Sequence, residues 1–168
     1  MRTRVPALIG LILLAGAASC TKTRAFTVPN SAMEPTIISG EKFAAEMKPF
    51  QPLRGDLVIF QHEGVLLVKR VIGVSGDTVE GRDLHVFVND KRVDEPYIQH
   101  IGSPSDSLVT FGPVIVPADR LFVAGDNRDF SFDSRDKRFG LISIADVKGK
   151  PLQIAQSQNP ERMGKVVH

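Results

Sequence analysis

Cysteine is nearly absent from this chain of 168 residues, and because Cys20 is the only one, no internal disulfide can form. The four histidines are His62, His85, His100 and His168. None lies at metal-ligand spacing from a cysteine or carboxylate cluster, so we expect neither a metal nor another cofactor. Strong charge is also lacking: the net charge is +2 and the basic residues are scattered. That balance argues against nucleic acid as a partner.

Long helical patterns are missing from the body of the chain. The composition, with 42% hydrophobic and 24% charged residues, is that of an ordinary globular protein. The length suits one domain with a real core. Frequent proline and glycine, together with short runs of valine and isoleucine, favour strands and turns over helices.

The amino terminus has the layout of a secretory signal. Arg2 and Arg4 precede an apolar run over 5–18, which ends in small residues before Cys20. As a helix this run would span roughly 21 Å, against about 30 Å of bilayer hydrocarbon. We therefore predict a signal peptide over 1–19, with the arginines cytoplasmic and the remainder exported.

The residues before Cys20 resemble a bacterial lipoprotein cleavage site, although Ala17 stands where leucine is commoner. The resemblance implies that Cys20 is lipidated and that 20–27 is a polar tether. The alternative is an uncleaved anchor with an incidental cysteine. Both readings place the protein on the extracytoplasmic, periplasmic face of a bacterial membrane.

From Phe26 onward the pattern is typical of strands. The apolar runs 56–60 and 65–68 flank a short turn and predict a hairpin. A second hairpin is predicted around Asn89-Asp90, which tolerates positive φ. Short strands without βαβ alternation predict an all-β fold of mainly antiparallel strands, barrel-like or built of folded sheets, after the signal helix. We expect this domain to cover 28–155 and the polar tail, 156–168, to be disordered.

Three motifs carry the candidate chemistry: Val28–Thr36, Val68–Asp77 and Gly125–Arg135. Taken singly, each has an ordinary interpretation. The first is a proline-bracketed turn, the second a strand whose lysine reaches solvent, and the third a turn held by ion pairs. The acids of the third motif do not follow calcium-loop spacing.

Together and in this order, the motifs resemble the boxes of type I signal peptidases, and the likeness extends over 28–150. The resemblance implies a membrane-associated serine endopeptidase with a Ser-Lys dyad, which releases exported preproteins from their signal peptides. Its implied partners are those signal peptides and membrane lipid.

The resemblance also assigns roles to individual residues. Lys69 becomes the general base, and burial among its apolar neighbours must lower the pKa of its amine before it can accept a proton. Ser131 becomes the hydroxyl that orients Lys69. Asp133 and Arg135 form a structural ion pair in the third motif.

The position of the family's serine nucleophile is occupied by Ala32, whose methyl group cannot attack a carbonyl. Asn30 replaces the usual hydroxyl donor of the oxyanion hole, with the Ala32 N–H as the second donor. Ser31 is a possible substitute nucleophile. In an extended chain, however, adjacent side chains point to opposite faces, so Ser31 would point away from Lys69 unless a local turn redirects it.

Three hypotheses follow. The first is an active signal peptidase of the serine endopeptidase class, working through Ser31 or another nucleophile. The second is a catalytically inactive homologue that binds exported peptides. The third is a self-cleaving repressor with a Ser-Lys dyad, which needs a DNA-binding helical region that the sequence lacks. Family likeness favours the first hypothesis, and the chemistry of Ala32 favours the second.

Overall fold

The computed structural model describes residues 22–98 and 110–168, so the predicted signal helix and Cys20 lie outside the described residues. The strands are β1 (Thr23–Thr27), β2 (Lys42–Glu46), β3 (Leu57–His62), β4 (Val65–Gly73), β5 (Thr78–Arg82), β6 (His85–Val88), β7 (Lys91–Arg92), β8 (Phe111–Ile115), β9 (Arg120–Ala124), β10 (Ile142–Ser143) and β11 (Val147–Gln156). Two short 3-10 helices, Ile144–Asp146 and Pro160–Arg162, complete this set. Neither helix, nor any other in the described part of the chain, is long and apolar enough to span a bilayer.

The strands form two antiparallel sheets. The larger has the order β1-β2-β11-β3-β4-β9-β10, and the smaller has the order β7-β6-β5-β8. Every strand pairing in both sheets is antiparallel. The prediction of an all-β, mainly antiparallel domain is therefore confirmed.

Both predicted hairpins are present. β3 and β4 pair from Leu57↔Arg70 to His62↔Val65. Their turn uses positive φ at Glu63 and Gly64. β6 and β7 pair across Asn89-Asp90, and both turn residues have positive φ, as the two-residue turn requires.

The core anchors the segment that carries the first motif. Met33 and Ile37 are fully buried in a cluster with Val28, which directly follows β1, Phe43 of β2 and Ile154 of β11. Burial of the Met33 and Ile37 side chains stabilises the fold by about 1.5–3 kcal/mol each. Burial of this kind holds an irregular segment in one conformation without regular backbone pairing.

Strand β1 lies within the predicted polar tether, and the predicted disordered tail, 156–168, packs against the larger sheet. Thr23–Thr27 is β1, because Phe26 stacks on Phe43 at 5.8 Å between ring centroids and the strand pairs with β2. In the tail, Val167 is buried in the same core cluster. Arg162 donates two hydrogen bonds to the buried Glu41. A few apolar side chains, together with the Arg162–Glu41 ion pair, are enough to hold both segments against the sheet.

Candidate active site

The three motifs meet at one place in the fold. Val28–Thr36 follows β1, Lys69 lies in β4, and the third motif follows β9. The Asn127 N–H donates to the Ala32 carbonyl at 3.1 Å, which joins the third motif to the first. A Cβ atom on Gly125 would overlap both the Ser131 side chain and the Ala32 carbonyl, so this close approach requires glycine.

Lys69 and Ser131 form the central contact of the site. Lys69 Nζ donates to Ser131 Oγ at 2.7 Å. The lysine is only 5% exposed and Ser131 is also buried. The Ser131 hydroxyl in turn hydrogen-bonds to Asp133. With its proton directed to a carboxylate and its lone pair toward the amine, Ser131 is placed to orient Lys69.

The surroundings of Lys69 favour its neutral form. Burial is the main cause, and it lowers the pKa of the amine to about 8, against an ordinary value of 10.5. The carboxylates of Asp133 and Asp126 act in the opposite sense, while the charge of Arg135 lowers the pKa further. A lysine with this pKa can accept a proton near neutral pH.

Asp133 and Arg135 form a buried bidentate pair. Arg135 Nε and Nη2 donate to the two Asp133 oxygens at 2.8 and 2.9 Å. The Gly125 N–H adds a hydrogen bond of 2.9 Å to the same carboxylate. Burial alone would raise the pKa of Asp133, but the Arg135 bonds and charge hold it below its usual value. The pair ties the Ser131 segment to the end of β9.

Ala32 and Lys69 both line one cavity, and Ala32 is 7% exposed. Its side chain is a single methyl group, so this wall carries no hydroxyl at that position. Ser31 is half-buried and is not one of the residues that line the cavity, whereas Asn30 is. The register thus separates Ser31 from the cavity that Lys69 faces.

The two proposed oxyanion donors contact each other. The Ala32 N–H donates to Asn30 Oδ1 at 3.2 Å. A peptide oxygen that uses this N–H must therefore displace the Asn30 carbonyl. The Asn30 amide nitrogen keeps its hydrogens for another acceptor.

The cavity beside Lys69 is small and largely apolar, with a volume of about 120 Å³. It lies between β1 and the first half of β4. Its apolar wall consists of Phe26, Val28, Pro29, Met33, Phe43, Ile59, Leu66, Leu67 and Val68. β1 is an edge strand, and β9 pairs with β4 only from Arg70 onward. Within the described ranges, 22–98 and 110–168, both strands thus have backbone groups without a strand partner, which an extended peptide could use.

An ion pair that sequence reasoning missed joins all three motifs. Arg70 of the second motif donates to both Asp126 oxygens of the third, at 2.8 and 2.6 Å. Thr36 of the first motif donates to Asp126 at 2.5 Å. The sequence offered one signal for this ion pair: Arg70 and Asp126 each lie inside a motif, directly after Lys69 and Gly125. The sequence pattern alone does not predict that the side chains of Arg70 and Asp126 form an ion pair.

Comparison with known proteins gives consistent matches. The family model described as signal peptidase, peptidase S26, matches residues 1–154. Over 139 residues the chain is 34% identical to signal peptidase I P of Bacillus subtilis subsp. natto. It is 37% identical over 139 residues to signal peptidase I of Bacillus licheniformis. Both alignments cover 74% of this chain and 72% of the relative.

A solved structure matches as well. The crystal structure of a signal peptidase I from Enterococcus faecalis V583 aligns with a TM-score of 0.51 and 31% sequence identity. The alignment covers 61% of this chain and 98% of that chain.

Proposed function

Since the chain belongs to the signal peptidase family, peptidase S26, we propose that it binds signal peptides of exported preproteins and holds them without cutting them. The observation that carries this proposal is the Ala32 methyl group beside an otherwise assembled site. Lys69 is buried, has a lowered pKa and is held by Ser131. Only the attacking oxygen is missing.

Peptide binding is supported by the shape of the site. An extended peptide can pair with the edge strand β1 or with the first half of β4, which has no partner on its β9 side among the described residues, as in other cases of strand addition. The cavity between them admits small side chains, because Phe26, Met33 and Leu66 limit its volume to about 120 Å³. Small residues beside the scissile bond are what the family resemblance leads us to expect in the ligand.

Cleavage through Ser31 is the competing hypothesis, and the intact Lys69–Ser131 pair is the observation in its favour. It requires a rearrangement, because Ser31 does not line the cavity and its carbonyl accepts the Glu34 N–H at 3.0 Å. That hydrogen bond belongs to the turn from which Ala32, and not Ser31, reaches the cavity lining.

Binding is tested by titrating the full-length protein in detergent with a labelled signal peptide of the Ala-X-Ala type. We expect saturable binding, and we expect Leu66→Arg in the cavity wall to weaken it at least tenfold, or about 1.4 kcal/mol, by steric exclusion. Ile115→Arg is the matched control, because Ile115 is exposed on β8, outside the cavity lining. If the folded wild type does not bind at millimolar peptide, the proposed function is wrong.

We further propose that the domain is held at the extracytoplasmic face of a bacterial membrane through lipid on Cys20. β1 begins at Thr23. A lipid on Cys20 would therefore hold the sheet within about 10 Å of the membrane surface, since an extended residue spans about 3.3 Å. The edge strand that borders the cavity would lie near the membrane through which signal peptides pass.

Lipidation predicts a specific labelling result. Cells that express the wild type and are fed a labelled fatty acid should yield a labelled protein that begins at Cys20. Cys20→Ser should be unlabelled and should keep its amino-terminal segment. Equal labelling of the two proteins, or a mature wild type that still begins with Met1, would support the uncleaved anchor instead.

A further inference from the structure

Lys69 is a buried cation without a carboxylate partner among the described residues. The hydrogen bond that its ammonium group donates goes to the neutral hydroxyl of Ser131. The nearby carboxylates of Asp133 and Asp126 are each held by an arginine, in buried bidentate pairs. A buried charge without a directly bonded counter-charge is unfavourable.

The cavity gives an anion access to this ammonium group. Lys69 and Ala32 both line the cavity, and the methyl group of Ala32 stands where a hydroxyl would otherwise occupy space beside the amine. Asn30, on the same wall, has an amide nitrogen that can donate to the same anion. The remaining wall is mostly apolar, so an anion bound here is shielded from water and from salt.

We propose that this site prefers peptides that end in a free carboxylate after a small residue, with the carboxylate bound to Lys69 Nζ. Hydrolysis of a peptide bond leaves such a carboxylate on the released amino-terminal fragment. The ligand class is therefore the cleaved signal peptide, in preference to the intact preprotein. The inference rests on the proposed function, because it names the ligand of the same cavity.

The proposal predicts a defined pH dependence. The charged groups around Lys69 are Asp133 and Arg135 from the third motif, Asp126 from its start, and Arg70 next to it in β4. Asp133 and Asp126 each bond to an arginine, and of these charged groups only Lys69 lines the cavity, so its ammonium group is the charge that the ligand meets. Its pKa is about 8 without ligand. A bound carboxylate favours the charged amine and raises that pKa, so the preference is complete below pH 8 and is lost as the amine deprotonates.

The test compares two peptides of one Ala-X-Ala sequence, one ending in a carboxylate and the other in a carboxamide. At about pH 6.5 we expect the acid to bind the full-length protein at least tenfold more tightly than the amide. At about pH 9.5 the two should bind within roughly twofold, since a tenfold preference raises the bound-state pKa by about one unit. Lys69→Met should remove the difference at both pH values. Lys42→Met, at an exposed position on β2, should keep it.

The possible results distinguish the carboxylate preference from the proposed function of peptide binding. Equal affinity for acid and amide at the lower pH, in a wild type that clearly binds both, overturns the carboxylate preference and leaves the proposed function standing. A preference that persists unchanged at the higher pH also overturns it, because the charge responsible would not be that of Lys69. Failure of the wild type to bind either peptide counts against the proposed function itself. If Lys69→Met does not fold, the wild-type pH profile decides.

Discussion

Replacing Ala32 with serine is expected to raise peptidase activity on an Ala-X-Ala substrate by up to about 10⁶-fold over the wild type. In a well-studied serine protease, loss of the nucleophile alone lowers turnover by about that factor, equivalent to roughly 8 kcal/mol of barrier. The site already holds a buried lysine with a lowered pKa, a Ser131 hydroxyl hydrogen-bonded to it, and a cavity that the lysine lines. The substitution adds one oxygen atom next to Lys69.

The gained activity should depend on the charge of Lys69. Only the neutral amine can accept the serine proton, so activity should rise with pH and level off above the pKa of about 8. Lys69→Ala in the Ala32→Ser background should abolish the gain. Ala155→Ser, the same substitution at an exposed position on β11, is the matched control and should leave the wild-type rate unchanged.

Two results would contradict this account of the site. If Ala32→Ser binds peptide but stays inert, the loss of activity involves more than one residue. If the variant is active while Lys69→Ala does not affect it, Lys69 is not the base. Initial rates of all four proteins on one fluorogenic peptide across the pH range distinguish these cases.

Removing the carboxylate of Asp126 should lower the free energy of unfolding by about 3–5 kcal/mol, because it leaves the Arg70 guanidinium buried without its counter-charge. Asp126 is 0% exposed, and the Arg70 side chain is almost as deeply buried. The other hydrogen bonds from Arg70 go to the carbonyls of Gly55 at 2.8 Å and His168 at 3.3 Å and to the Thr36 hydroxyl at 3.5 Å. These neutral acceptors do not replace the Asp126 carboxylate. Urea unfolding of Asp126→Ala against the wild type measures the loss.

Asp136→Ala provides the control for this loss. Asp136 pairs with Arg138 at 2.6 Å, but the arginine side chain is exposed to solvent. Surface pairs of this kind contribute little to stability. We expect the urea midpoint of Asp136→Ala to match that of the wild type. A loss below about 1 kcal/mol in Asp126→Ala would show that Arg70 is accommodated by other groups.

Part of the fold could be predicted because its signals are local. The hairpin of β3 and β4 follows from two apolar runs around Glu63-Gly64, and the Asn89-Asp90 turn follows from residues that tolerate positive φ. β11 is a central strand of ten residues that the pattern did not predict, because Pro151 usually excludes a central strand. The structure tolerates Pro151 through a register shift between Pro151 and Gln153.

The site shows the same division between local and distant information. The apolar surroundings of Lys69 are visible in β4 itself, and they predict a lowered pKa. Its contact with Ser131 joins residues 62 positions apart, and only the family resemblance predicted it. The hydrogen bond between the Ala32 N–H and Asn30 was not predicted, because it depends on the conformation of a short turn. Such contacts depend on how distant segments pack in the folded protein, and this packing cannot be predicted from a single sequence.

The central claim is that the wild type holds signal peptides without cutting them. Its most direct test is to incubate a signal peptide of the Ala-X-Ala type with a saturating concentration of the full-length wild type near pH 8. Mass spectrometry then measures the intact peptide and its cleavage products over time. We expect the peptide to be bound and to stay intact through many hours, and we expect Ala32→Ser to cut it under the same conditions. Cleavage by the wild type after the second alanine, abolished by Ser31→Ala, would show that the wild type is a peptidase with Ser31 as its nucleophile.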